Sequence, residues 1–311
     1  MDFLKGIFNV LKVLVITFCS IAMFLFVFVI VVLIALIAGK NGIEMPNEMI
    51  KSDKMVAIVP VIDEIGVKAK AEDFQKQLNQ QLQDKNIKGV VVRLDSPGGT
   101  VGDSEEMYLA IKNAKKRFSA KPIICSLGNA AASGALYVAV ACDKIVTLKG
   151  TITGSIGVIM LTPNFSNLMQ KYDLEVNVVK SGQFKDVGSP FRQMTEDDKL
   201  VLNTFVDSAF NQFVTAISES RKIPKDEVLK FADGRMILGE DAVKLGLADY
   251  IGDVTTAGQV VLELLNIEGS ADLIYPKKDK FATLFEKLAE SRLGWWLWGE
   301  QSRVKLKYIL Y

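Results

Sequence analysis

The stretch of the chain best suited to chemistry is residues 128–137, which read GNAAASGALY. It follows the apolar run 122–125, which predicts a buried strand, and its alanines predict the start of a helix. Ser133 is therefore expected at a strand-to-helix junction, where free N–H groups and the helix dipole stabilise negative charge. Small neighbours let a substrate backbone approach the hydroxyl. These features suit a nucleophile, although an N-cap or a small packing residue would have the same sequence.

Histidine is absent from the 311 residues, and this limits how a serine could be activated. Ser-His-Asp and Cys-His machinery and His-ligated zinc are excluded, so a different base is required. Lys180 and Lys185 are the candidates, because they flank a turn at 181–184. A lysine accepts a proton only after losing its own, and apolar neighbours such as Phe184 and Phe191 favour the neutral amine. A solvated surface charge is the alternative interpretation of either lysine.

Glycine-containing turns supply the other groups that acyl transfer needs. The turn SPGG at 96–99 ends a predicted strand, and its glycines present backbone N–H groups without a Cβ in the way. Gly99 and Gly134 are the expected oxyanion donors, each worth about 3 kcal/mol. Ser155, in a second such turn, is expected to orient the base through a hydrogen bond. A tight turn without function would also explain SPGG, and Ser96 is a weaker candidate nucleophile.

Composition narrows the function classes further. The net charge is +1, with acids and bases nearly balanced, which gives no indication of a nucleic-acid partner. No metal site and no cofactor are expected. Cys19, Cys125 and Cys142 lack metal or redox spacing. Cys125 and Cys142 lie in apolar runs, so each is expected to be a small buried hydrophobe, and a disulfide between them is the less favoured interpretation.

An uncharged apolar segment at 13–38 predicts a transmembrane anchor. As a helix it would span roughly 39 Å, enough to cross a hydrocarbon core of about 30 Å with some tilt. A cleaved signal peptide would have a shorter apolar core and a small-x-small exit, which Leu36 and Ile37 fit poorly. Residues 39–54 are expected to be a linker. Lysines on both sides of the segment leave its orientation open.

From residue 55 onward the hydrophobic pattern alternates between strands and helices, which predicts an α/β architecture with right-handed crossovers. The first strand contains Pro60 and is expected at a sheet edge. Strands are predicted at 55–62, 90–94, around 123, 144–148, 155–160 and 174–179, and helices at 71–83, 103–117, 130–141, 195–220, 225–231, 238–245 and 255–265. Together they predict one domain at 55–265.

The remaining residues, 266–311, are expected to be a C-terminal extension. Three tryptophans, at 295, 296 and 298, lie among basic residues in this extension. Aromatic and basic residues together are typical of a membrane interface, and an oligomer contact explains them equally well.

Four motifs occur in order with characteristic separations: RLDSPGG at 93–99, AASG at 131–134, TGSIGV at 153–158 and KSGQFKDVGSPFR at 180–192. In these motifs the chain resembles the short-form bacterial signal peptide peptidase A family, peptidase family S49. Ser133 lies 22 positions before Ser155 and 52 before Lys185. The resemblance covers about residues 55–265.

The resemblance implies a Clp protease/crotonase-like fold of repeated ββα-type units, with a helical C-terminal part, preceded by one transmembrane helix. It implies a membrane-anchored serine endopeptidase that degrades signal peptides left after precursor cleavage. Its site would comprise the nucleophile Ser133, the general base Lys185, the orienting partner Ser155 and the oxyanion donors Gly99 and Gly134. By the same match, Lys180 is not catalytic.

The family further implies a homo-oligomeric ring whose active sites draw on neighbouring subunits, which leaves two arrangements open: Lys185 serves Ser133 of its own subunit or Ser133 of a neighbour. It places residues 1–12 in the cytoplasm and the catalytic domain on the extracytoplasmic side of the bacterial inner membrane, in a single-pass protein.

Two departures and two alternatives accompany the resemblance. The sequence VIDEI at 61–65 stands where a glycine is expected after the first strand, and the chain has one half where the long form of the family has two. A crotonase-type acyl-CoA enzyme would share the fold and the glycine oxyanion hole. A noncatalytic membrane scaffold of the same fold is the other alternative.

Overall fold

The computed structural model describes residues 14–30, residues 52–276 and the backbone of 307–309. The chain divides into two units, 1–51 and 52–311. In the first, residues 14–30 form helix α1, whose side chains are exposed along its length. Among the described residues, no helix has both the length and the apolarity needed to cross a membrane. The predicted segment 1–12, the two ends of the predicted anchor and most of the linker lie outside the described residues.

The second unit is built on a mostly parallel sheet, in the order β7-β6-β4-β2-β1-β9, with β5 beside β4 and β8 beside β5. Its β-strands, numbered with the separate short strand β3, are β1 (Met55–Ile62), β2 (Gly89–Ser96), β3 (Gly98–Thr100), β4 (Ile123–Ala131), β5 (Lys144–Thr147), β6 (Ile152–Gly154), β7 (Met236–Leu238), β8 (Tyr250–Ile251) and β9 (Asp272–Ile274). The pairing of β6 with β7 is antiparallel.

Helices cover both faces of this sheet, which confirms the predicted α/β architecture. Alternate β1 residues face opposite sides, so Ala57 and Val59 join the larger apolar core while Val56 and Ile58 join a smaller one with α9. The helices are α2 (Ala71–Gln83), α3 (Val101–Arg117), α4 (Gly134–Ala139), α5 (Ser166–Lys171), α6 (Glu196–Arg221), α7 (Lys225–Leu229), α8 (Gly239–Lys244) and α9 (Val254–Leu264).

The position of β1 corrects the expected sheet edge. β9 pairs with β1 at Met55–Ala57, so the first half of β1 has neighbours on both sides. Pro60 lies beyond that pairing, where β2 is the one described strand beside β1, and its missing N–H therefore interrupts no ladder bond to β9. The edge expected from Pro60 is present in the second half of the strand only.

The segment between β6 and α6 differs most from expectation. The strands predicted at 155–160 and 174–179 are absent, and this described segment is largely irregular apart from α5. Its apolar side chains are widely exposed, up to 101% for Val179. Alternating apolar residues at 174–179 fit a strand pattern, but a strand also needs a neighbour to pair with. The helix predicted at 130–141 begins at Gly134, because β4 continues to Ala131.

Cys125 and Cys142 form a disulfide, so the favoured expectation of two separate buried thiols is wrong. Their Cα atoms lie 5.8 Å apart. Cys125 lies in β4 and Cys142 follows α4, and the Asp143 N–H donates to the Ile123 carbonyl at 2.8 Å, which returns the chain alongside β4. The spacing of the cysteines gave no sign of this bridge because the return of the chain is set by tertiary packing.

Residues of the predicted C-terminal extension contribute two strands. β9 extends the main sheet, and β10 (Lys307–Ile309) pairs antiparallel with β3, placing Tyr308 opposite Gly99. The edge of β3 therefore accepts an extended segment of polypeptide. The three tryptophans predicted to contact a membrane or a subunit lie outside the described residues.

Candidate active site

Ser133 lies at the junction of β4 and α4, where the sequence predicts it. The residue is 1% exposed and has φ 54° and ψ −118°, a conformation that is rare outside glycine. Such a backbone costs about 1–3 kcal/mol and persists only when its surroundings hold it. The Ser133 N–H donates to the Gly154 carbonyl at 2.8 Å, and the Ser133 carbonyl accepts from the Tyr137 N–H at 3.0 Å. A sharp strand-to-helix turn of this kind presents a nucleophilic hydroxyl.

Two buried threonines of the β6 region hold the end of β4 in place. Thr151 Oγ1 donates to the Gly128 carbonyl at 2.7 Å, and Thr153 Oγ1 donates to the Ala131 carbonyl at 2.6 Å. Sequence reasoning missed both residues. The available signal was two threonines at alternate positions beside the turn that contains Ser155, since such hydroxyls on one face can bind a neighbouring strand.

Ser155 lies directly after Gly154, whose carbonyl accepts the Ser133 N–H. It is half-buried with φ 49°, and its N–H donates to the Arg235 carbonyl at 2.7 Å. It borders a cleft of about 580 Å³ between this turn and α6. The wall of the cleft is mainly apolar and includes Ile156, Val158, Ile159, Val206, Phe210 and Met236, with Asp207, Asp233 and Arg235 among its polar residues.

Gly134 directly follows Ser133, and Gly99 lies in β3, the short strand against which α4 packs. Gly99 pairs with Ile65 so closely that a Cβ would overlap the Ile65 carbonyl. Gly134 is the first residue of α4, so its N–H has no intrahelical acceptor. Ser96 connects the two regions, because its carbonyl accepts from the Ala132 N–H at 3.3 Å and its hydroxyl accepts from the Gly98 N–H at 3.2 Å. These bonds give Ser96 the role of shaping the turn.

A buried aromatic group supports α4 from behind. The Tyr137 ring lies 5.1 Å from that of Tyr108 and 5.2 Å from that of Phe213, measured between centroids. Burial raises the pKa of Tyr137 well above its ordinary value, with a smaller contribution from the charge of Glu105. Tyr137 therefore stays neutral and packs the helix against α3 and α6.

Lys185 is placed apart from these groups in the single chain. It is exposed in the irregular segment before α6, and its backbone N–H donates to the Gly182 carbonyl at 3.1 Å. Within the described ranges, no hydrogen bond joins the side chains of Ser133, Ser155 and Lys185. Lys180 is engaged elsewhere, donating to Asp186 at 2.6 Å. One chain thus assembles the turn of the candidate nucleophile with the glycines and Ser155, and leaves the candidate base on the surface.

Comparison with known proteins assigns this part of the chain to a family. Residues 115–268 match the family model described as Peptidase family S49. Through them, the chain belongs to peptidase family S49. The matched range contains Ser133, Ser155 and Lys185, and Gly99 lies before it.

Two relatives and one solved structure illustrate the similarity. The chain is 36% identical over 187 residues to "Putative protease slr0021" of Synechocystis, covering 60% of this chain and 66% of the relative. It is 38% identical over 181 residues to "Putative signal peptide peptidase SppA" of Enterococcus faecium, covering 58% and 52%. The match thus spans less than two thirds of each relative. The structure of a ClpP1 mutant from Listeria monocytogenes aligns over 65% of this chain and 94% of its own, with a TM-score of 0.44 and 16% identity.

Proposed function

We propose that this S49 member is a membrane-anchored serine endopeptidase with a Ser-Lys dyad, and that it degrades signal peptides left in the membrane after precursor cleavage. The observation that carries the proposal is the geometry at Ser133. A buried serine with a strained backbone lies directly before the N–H of Gly134, on a helix that packs against β3, the strand that contains Gly99 and accepts extended polypeptide. Acyl transfer needs this combination of nucleophile, oxyanion donors and substrate edge.

The proposed reaction uses these groups in sequence. Ser133 Oγ attacks the carbonyl carbon of the substrate while the neutral amine of Lys185 takes its proton. The N–H groups of Gly99 and Gly134 hold the resulting oxyanion. Collapse breaks the C–N bond, and the leaving amine takes the proton from Lys185. Water, deprotonated by Lys185, then attacks the acyl ester, releasing a carboxylic acid and restoring Ser133.

The edge of β3 supports an extended peptide as the substrate. β10 shows that this edge pairs with extended polypeptide, and a substrate strand taking its place would direct alternate side chains to opposite sides. The cleft beside Ser155 offers apolar walls from Val206, Phe210 and Met236. Apolar side chains in extended polypeptide are what a signal peptide would supply.

Exposed apolar side chains around Lys185 support assembly into a homo-oligomeric ring. Leu161, Leu174 and Val179 are each more than half exposed, on the same irregular segment as Lys185. Monomeric soluble proteins rarely leave large contiguous apolar surfaces uncovered. A second copy of this chain would cover the segment and remove Lys185 from water, so that Lys185 serves Ser133 of a neighbour.

The disulfide supports an extracytoplasmic position for the catalytic unit. Bonds such as Cys125–Cys142 persist in oxidising compartments and are rare in the cytosol. With residues 13–38 as a single-pass anchor, residues 1–12 would be cytoplasmic and the unit beginning at residue 52 would lie outside the bacterial inner membrane. The Clp protease/crotonase-like fold is part of the same proposal.

A noncatalytic membrane scaffold is the second candidate. The exposure of Lys185 in the single chain favours it, because a general base must lie beside the hydroxyl that it deprotonates. The two candidates differ in one property, which is whether Ser133 and Lys185 are required for peptide hydrolysis.

The test uses the full chain in detergent micelles with a fluorogenic apolar peptide. Ser133→Ala and Lys185→Arg should each reduce turnover by at least about 1,000-fold, since arginine keeps the charge but does not release its proton. The matched controls, Ser208→Ala and Lys171→Arg, change exposed residues and should retain wild-type turnover. Undiminished turnover in Ser133→Ala would refute the proposal, and no turnover in the wild type would favour the scaffold.

A further inference from the structure

A network of four charged residues lies immediately beside Lys185. The Arg192 clamp comprises Lys180, Asp186, Arg192 and Asp198. Arg192 donates to both carboxylate oxygens of Asp186, from Nε and Nη2, each at 3.0 Å. It also donates to both oxygens of Asp198, from Nη2 at 3.1 Å and through a shorter bond from Nη1. Lys180 completes the network by donating to Asp186 at 2.6 Å.

The clamp fixes the loop that contains Lys185 to the start of α6. Asp198 is 2% exposed and caps α6, accepting from the Thr195 N–H at 3.0 Å. Asp186 is the residue directly after Lys185, and Lys180 closes the loop from the other side by also donating to the Gln183 carbonyl at 2.8 Å. The surrounding apolar side chains are exposed and cannot hold the loop in a single chain, so these charge-assisted bonds anchor it.

The clamp also controls the charge next to Lys185. Hydrogen bonds from Arg192 and then Lys180 hold the pKa of Asp186 well below its ordinary value, and those from Arg192 and the Thr195 N–H do the same for Asp198. The two carboxylates and the two cations of the clamp give it a net charge of zero. Asp197 is a further charged group of α6 at this loop, and its carboxylate accepts from the Gln183 amide at 3.4 Å.

We propose that Arg192 is a positioning residue for Lys185, acting through the clamp in two ways: it fixes the loop that delivers the amine, and it neutralises the carboxylate adjacent to that amine. This inference rests on the peptidase function proposed above. Without Arg192, the clamp would leave a net negative charge beside Lys185, which favours the protonated amine. Without Asp198, it would leave a net positive charge, which favours the neutral amine.

Opposite charge changes within one clamp give a test that loss of structure cannot mimic. Arg192→Gln and Asp198→Asn both break the same ion pair, but they change the net charge in opposite directions. The acid limb of the kcat/KM profile should move to higher pH in Arg192→Gln and to lower pH in Asp198→Asn, each by roughly half a pH unit. Arg192→Lys keeps the charge but loses the bidentate geometry, so it should lower kcat while leaving the limb in place.

Arg192→Gln could fail to fold, because it leaves the buried Asp198 carboxylate without its ion-pair partner. Lys180→Met is the variant that tests the inference in that case. It removes one positive charge while leaving the bonds of Arg192 intact, and it should also move the acid limb to higher pH. The inference would be overturned if the acid limb of the kcat/KM profile stayed at the same pH in Arg192→Gln and Asp198→Asn, or if it moved in the same direction in both. Failure of the underlying function is recognised separately, because either the wild type would show no turnover or Lys185→Arg would retain the wild-type rate.

Discussion

Ser133 combines a strained backbone with nearly complete burial, and its neighbours explain how both persist. The Gly154 carbonyl accepts its N–H, and the helix that begins at Gly134 fixes the following residues. Strain held in this way is expected where geometry must be pre-organised for a reaction. At the residue scale, these contacts fix the backbone of the residue that carries the candidate nucleophilic hydroxyl.

Gly99 should be intolerant of any side chain. A Cβ there would overlap the Ile65 carbonyl, so Gly99→Ala must displace the β3 turn and its N–H. We expect a loss of about 100-fold or more in kcat, the effect of losing one oxyanion donor, measured by peptide hydrolysis. Gly102→Ala is the matched control, because a Cβ at Gly102 meets no atom within 4 Å, and it should retain activity. Equal activity in the two variants would exclude Gly99 from the site.

The sequence was sufficient to predict the junction at which Ser133 lies, because a strand-to-helix junction leaves a local signal, and the roles of Ser133, Ser155 and the glycines stay predictions. It did not predict the contacts of Arg192. This residue ends the motif at 180–192, and its partner Asp198 lies beside it only because α6 begins there. Residues whose partners are distant in the chain depend on tertiary structure. The same limit applies to the disulfide between Cys125 and Cys142.

At the element scale, helix α9 depends on its N-cap. Asp253 accepts hydrogen bonds from Thr255 and Thr256, and these lower its pKa to about 2. Because the folded-state pKa lies below the ordinary value, this contribution is complete above about pH 4 and is lost as pH falls towards 2. Asp253→Ala should lower stability by about 1 kcal/mol at pH 7, and the difference from wild type should shrink below pH 4.

Thermal unfolding at several pH values measures this effect. Glu263→Ala removes an exposed acid near the other end of α9 and serves as the control, with a change near zero at every pH. A stability difference for Asp253→Ala that stays constant from pH 7 to pH 2 would contradict the capping role.

The disulfide joins β4 to the end of α4 and so encloses the turn with Ser133. Its cysteines are 17 residues apart, and closing a loop of this length stabilises a fold by about 3 kcal/mol. Reductant should therefore lower the unfolding temperature of the wild type and have no effect on a Cys125→Ala, Cys142→Ala double variant. Thiol titration under denaturing conditions without reductant should find Cys19 alone. Three reactive thiols would show that the bridge is absent.

Elements with complete local patterns were predicted well, as β1 and α2 show with bounds that match the prediction. Periodicity wrongly predicted a strand at 174–179. Alternating apolar residues there indicate a surface that needs a neighbour, but they do not identify that neighbour. Periodicity also missed β3, β6, β7, β8, β9 and β10, because strands of two or three residues are too short to show a period. The position of β9 beside β1 depends on long-range pairing.

At the scale of the whole molecule, the proposed ring makes one subunit complete the site of the next. Co-expression of Ser133→Ala chains with Lys185→Ala chains should therefore restore part of the activity that each variant lacks, because mixed rings contain some intact pairs. The hydrolysis rate of the purified mixed assembly is the measurement. Mixed assemblies that form and remain inactive would place both groups in the same chain.

The central claim is that Lys185 activates the hydroxyl of Ser133, and the most direct measurement is the rate and position of labelling by a serine-directed acylating probe. Mass spectrometry of the labelled full-length protein should find the adduct on Ser133 in the wild type, and labelling should be at least about 1,000-fold slower in Lys185→Arg. Labelling of a different residue, or an unchanged rate in Lys185→Arg, would contradict the account.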